Sequence, residues 1–142
     1  MTSQVRKMQF EPPPCRYGMG RTFDEVLPSV AERLNVLLGS HGFQVAFRLD
    51  YEEKFNAAGA GSFSPYQIWG VCHLKSMYRA LAAEPTAGLL FPYHIILFRN
   101  ATGGTIVMVK DPTRIMDLLR HPVAIEVAIE IGNMLEHLLD EL

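Results

Sequence analysis

The residues of this sequence with the most chemistry to offer are Cys72, His73 and His94. Neutral imidazole is the commonest transition-metal ligand and also ligates haem iron, while a thiolate suits soft ions. Together the three side chains could hold zinc, copper or haem. Spacing adds little, because the sequence has no CxxC pair and no HExxH helix. Adjacent strand residues point to opposite faces, so Cys72 and His73 share one ligand only if the chain turns between them. The alternative makes both histidines hydrogen-bonding groups. Cys72 stands just before a predicted helix start, where free N–H groups and the helix dipole favour a thiolate. It equally suits a buried site, as a small hydrophobe. Met77, one helical turn past His73, offers a thioether or fills a core gap. Tyr66, Trp69, Tyr78 and Tyr93 flank the same segment and either wall a pocket for a planar ligand or serve as core and dimer contacts.

Other templates fail. No GxSxG elbow, Walker loop or dinucleotide fingerprint is present, and Gly59-Ala60-Gly61 lies in a loop. Asp50, Glu52 and Glu53 near Lys54 read as a solvated strand end. His41, beside a helix C-terminus, and His121 and His137, in the tail, read as solvated or capping groups. Over 142 residues the net charge is −2, which leaves no basic surplus for phosphates and argues against nucleic acid as a partner. Cys15 and Cys72 are the only cysteines, too few for a disulfide framework. Arg6 and Lys7 are followed by no apolar run, so neither a secretory signal nor a membrane partner is expected, and the location expected is cytoplasmic.

These groups must be positioned by a single domain, expected at 15–142 behind an N-terminal arm at 1–14 that ends in the stiff run Glu11-Pro12-Pro13-Pro14. Thr22-Phe23-Asp24-Glu25 fits a capping box, and Phe23, Val26, Val30, Leu34, Leu37 and Leu38 form a helical stripe closed by Gly39 and Gly42. Pro28 sits awkwardly inside it and predicts a kink or a later start. Alternation over 43–50 places Phe43, Val45, Phe47 and Leu49 on one face of a strand. Residues 56–65 read as a loop, 66–71 as a strand, Leu74 to Ala83 as a short helix, and Tyr93–Phe98 as a strand. A turn at Thr102-Gly103-Gly104 joins the last to Thr105–Lys110, so these two strands are antiparallel neighbours. Pro112 and Pro122 suit the opening turns of a helical tail, whose stripe from Ala124 runs through Val127, Ala128, Ile131, Leu135 and Leu138 to Leu142. The order β-α-β-β-β-β-α with a short inserted helix predicts an α+β fold, its antiparallel sheet covered by helices on one face. Exposed sheet edges and 49% hydrophobic content predict a homodimer.

The string Tyr66-x-Ile68-x-Gly70-x-Cys72, followed by Tyr78-x-Ala80-Leu81, Glu84-Pro85, Gly88-Leu89-Leu90-x-Pro92 and Asp111-Pro112, resembles the bacterial and archaeal family called domain of unknown function 302. Tyr17-Gly18, Phe23-Asp24-Glu25, Gly42-Phe43 and Asp50 to Lys54 fit the same pattern. The resemblance implies a TATA-binding-protein-like α+β fold, usually dimeric, with no established activity. Where the family typically shows Cys-Asn-Pro, this chain reads Cys72-His73-Leu74; where it shows Leu-Pro-Cys-Asn, this chain reads Phe91-Pro92-Tyr93-His94. Two amides replaced by imidazole, with the second thiol missing, point to one altered site. The expectation is a dimeric binding protein whose pocket, formed by Cys72, His73 and His94 with Tyr93 and Trp69, holds a soft metal ion or haem. One alternative is a thiol redox or sulfur-carrier protein using Cys72, with His73 tuning it. The other is an apolar small-ligand pocket or an interaction domain without chemistry.

Overall fold

Five strands pair into one antiparallel sheet in the order β1-β5-β4-β3-β2. The computed structural model describes residues 15–111 and 114–142; the expected arm at 1–14 and Pro112 lie outside them. The strands are β1 Gly18–Phe23, β2 Gln44–Asp50, β3 Tyr66–Cys72, β4 Tyr93–Arg99 and β5 Thr105–Lys110. The helices are α1 Leu27–Ser40, α2 Tyr51–Ala57, α3 Leu74–Ala83 and α4 Pro122–Glu141, with 3-10 turns at Pro85–Leu89 and Met116–Leu118. The fold is the α+β arrangement expected. Val30, Leu34 and Leu38 of α1 and Val127, Ile131, Leu135 and Leu138 of α4 pack on Trp69, Val71, Tyr93, Ile95, Leu97, Val107 and Val109 of the sheet. Each such aliphatic side chain taken out of water contributes roughly 1.5–3 kcal/mol, so this layer holds the molecule together.

Three expected boundaries move. Thr22 and Phe23 belong to β1, paired with Ile106 and Thr105, so no capping box forms. Helix α1 starts at Leu27, its N-cap Val26 makes no side-chain cap, and Pro28 lies in the first turn, where a missing N–H leaves no ladder bond unmade. The Thr105 hydroxyl donates to the Glu25 carbonyl at 2.8 Å and fixes the link between β1 and α1. Asp50, read as part of a solvated strand end, caps α2: its carboxylate accepts from the Glu53 N–H at 3.1 Å, and Glu52 and Glu53 complement the first-turn dipole. The loop expected from residue 56 therefore begins after Ala57.

The fourth difference inverts half a strand. Val45 pairs with Val71, but Phe47 pairs with Gly70, so a bulge at Ala46 places two residues of β2 against one of β3. Period-two alternation slips there by one. Phe43 and Val45 face the helices, while Phe47 and Leu49 turn to the other side with Gly70 and Ile68. That second face carries Ile68 and Gly70 of β3, His94, Ile96 and Phe98 of β4, and Ile106, Met108 and Lys110 of β5. An aromatic chain from Tyr51 through Phe55 and Phe63 to Tyr66 and Phe98 covers one end of it.

Candidate functional site

The sheet separates the two expected histidine ligands. His73 is the N-cap residue of α3; its Nδ1 lies 2.9 Å from the Ser76 hydroxyl. Its ring meets core residue Phe43 edge-on at 5.5 Å, on the helix side. His94 pairs with Gly70 on the opposite face, its ring 6.1 Å from that of Phe47. Among the described residues no three His, Cys, Asp or Glu side chains come together to hold a metal ion, so the set Cys72, His73 and His94 is not assembled. The cause is the alternation that sends neighbouring residues to opposite faces, with no turn between Cys72 and His73 to undo it.

Cys72 ends β3 on the His94 side and is buried, at 9% exposure. Burial pushes its thiol pKa up, which keeps the sulfur protonated at neutral pH, against the thiolate expected from the helix dipole. Trp69 and Tyr93 are core residues at 0% and 1% exposure. The Trp69 indole donates to Gln67 Oε1 at 2.9 Å under the Arg48 guanidinium, and Tyr93 meets Phe91 edge-on at 5.0 Å. Both face the helices and neither lines a ligand site with His94. Met77 packs against the core, and Tyr78 is exposed. His121 caps α4, its Nδ1 accepting from the Val123 N–H at 3.1 Å, and His41 pairs with Glu141 at 2.9 Å.

Of the expected groups, His94 and Tyr66 do share a cavity. A trough of about 410 Å³ crosses the second face, lined by Ile96 and Phe98 of β4, Met108 and Lys110 of β5, Gly18 of β1, and Tyr66, Tyr17, Cys15 and His94. Tyr66 stacks on Phe98 at 5.5 Å and 19°. At Gly20 a Cβ would press on Met108 and the Val107 carbonyl, and at Gly18 it would crowd the Val109 carbonyl and the Cys15 sulfur, so the glycines let β1 lie close beside the floor. Burial, and then the neighbouring Lys110 charge, lower the His94 pKa, leaving a neutral ring with one donor and one acceptor. Burial raises the Tyr66 pKa, with Tyr17 adding to it, so its phenol is a neutral donor. Sequence reasoning missed Cys15, Tyr17, Ile96, Phe98, Met108 and Lys110. One signal was present: in Tyr93–Phe98 apolar residues stand at both parities, which marks a strand whose two faces both seek cover.

Residues 20–142 match the family described as domain of unknown function DUF302. In three dimensions the chain is similar to an uncharacterized conserved DUF302 protein from Bacillus stearothermophilus, known from its crystal structure, with a TM-score of 0.81. The identity is 23%, over 89% of this chain and 98% of that one. No curated protein matches.

Proposed function

This chain belongs to the DUF302 family, and on that premise we propose that it is a binding domain whose ligand, a small, flat and largely apolar molecule, lies in the trough on the second face of the sheet. The observation that carries this reading is the trough itself: Ile96, Phe98 and Met108 form an apolar floor on the face opposite α1 and α4, and such a strip gains by covering. His94, Tyr66 and Tyr17 at its rim supply hydrogen-bonding groups that orient a ligand. No helix among the described residues is long and apolar enough to cross a membrane.

The test is a titration with N-phenyl-1-naphthylamine, an uncharged flat fluorophore. A saturable rise with one site per chain is expected, and Ile96→Glu weakens it by about tenfold or more, equivalent to about 1.4 kcal/mol, with the far-ultraviolet circular dichroism unchanged. Met108→Glu serves if Ile96→Glu does not fold. A wild-type protein that gives no saturable signal overturns the reading.

A second reading, haem, is favoured by one observation: a single imidazole opens on the same apolar trough, with the Met108 thioether on its floor. These residues would hold it through His94, and bound haem would supply redox or gas-binding chemistry. Titration with haemin then gives a shifted Soret band that His94→Ala removes. An unshifted band excludes it. We read the expected homodimer as a pairing along β1, the edge strand beside the trough.

A further inference from the structure

The trough is apolar along its length and has Lys110 at one end. His94 and Phe98 bound it along β4, four residues apart and so roughly 13 Å from end to end. At the far end Tyr66 stacks on Phe98; at the near end stand His94 and Lys110, the last residue of β5. The Lys110 ammonium donates to the Leu90 carbonyl at 3.2 Å and lies 5.4 Å from the Tyr93 ring centroid. Among the described residues no carboxylate stands within ion-pair distance of it; the ion pairs formed there by other residues involve Arg21, Arg33, His41 and Arg79. Among the described residues this half-buried cation is held by a carbonyl dipole and a ring face, without the counter-ion that would offset its lost hydration. Burial accordingly lowers its pKa. The neighbouring His94 imidazole and Tyr66 phenol are neutral and supply no counter-charge.

Resting on the reading of the trough as a ligand site, we infer that its ligand is an amphipathic organic acid, a flat apolar body whose carboxylate meets the Lys110 ammonium. The apolar body takes the floor of Ile96, Phe98 and Met108. The carboxylate replaces lost water with a charge-assisted hydrogen bond, about twice as strong as a neutral one, and His94 is placed to donate a second.

Two probes of one shape separate the charge from the apolar body: 2-naphthoate and the uncharged 2-naphthalenemethanol, each titrated calorimetrically into the full chain. The acid is expected to bind about tenfold or more tightly than the alcohol, a ratio that corresponds to about 1.4 kcal/mol. That preference should shrink with added salt. Lys110→Met removes the preference, while Lys110→Arg keeps it. If Lys110→Met does not fold, the wild-type ratio and its salt dependence still decide. Equal binding of acid and alcohol, or an equal loss of both in Lys110→Met, overturns the inference and leaves the trough a ligand site. Failure of both to bind overturns the trough reading as well.

Discussion

The two cysteines show how environment decides chemistry for one residue type. Cys72 is buried, its thiol pushed up by lost solvation. Cys15 is half-buried and borders the trough. Because thiolate fraction and access together set the rate of disulfide exchange, Ellman's reagent is expected to modify Cys15 first and Cys72 only after denaturant opens the sheet. Mass spectrometry of the partly labelled protein checks the order. Fast labelling at Cys72 in the native protein would restore the redox or sulfur-carrier alternative. Cys72→Ala should leave fluorophore binding in place, since the trough is built from other residues.

At the scale of elements, α3 and α4 are tied by one carboxylate. Glu84, at the C-cap of α3, accepts from the Arg120 N–H at 2.8 Å and the His121 N–H at 2.6 Å, just where α4 begins. The bond from His121, and then that from Arg120, hold the Glu84 carboxyl below its ordinary pKa. A depressed carboxylate pKa gives stability that is present above the ordinary glutamate range and lost as pH falls through it. Urea unfolding from about pH 5 to about pH 3 should therefore show a steeper loss in wild type than in Glu84→Gln, which keeps an acceptor and loses the charge. Parallel curves would mean that Glu84 does not couple the helices to pH. The same scale shows what could be read from sequence. Leu74–Ala83 and Thr105–Lys110 were legible because Glu84-Pro85 follows the helix and Gly103-Gly104 and Pro112 bracket the strand in sequence. The start of α1 was not, since Thr22-x-x-Glu25 satisfies a capping motif while the pairing of β1 with β5 claims Thr22 for the sheet. Pro28 held the right answer. The faces of β2 were legible only as far as Val45, because no residue type announces a bulge at Ala46. His94 could be singled out from sequence, but its neighbours could not: the register of β4 on β5 brings Met108 beside Ile96, and register follows from pairing across the whole sheet.

For the whole molecule the open question is what the sheet edges do. Edge strands invite pairing unless they are bulged, charged or covered. The β2 edge is managed: Ala46 bulges, and the Arg48 guanidinium stacks 4.1 Å above Trp69 while bonding to Asn35. The β1 edge is regular. Its six residues pair with β5 in unbroken register and include no proline and no lysine. The charge of Arg21 is engaged by Asp140 at 2.6 Å. Two copies joined along β1 about a twofold axis would continue the sheet from one chain into the other, the commonest closed symmetry for such a contact. Light scattering at micromolar concentration should thus give twice the 16.0 kDa chain mass. Thr22→Lys, at an exposed position of β1, sets like charges near each other across that axis and is expected to shift the protein toward single chains. It should leave naphthoate binding intact, since Thr22 does not line the trough. A mass of 16.0 kDa for the wild type would show that β1 stays unpaired, whereas a dimer indifferent to Thr22→Lys would place the interface on another surface.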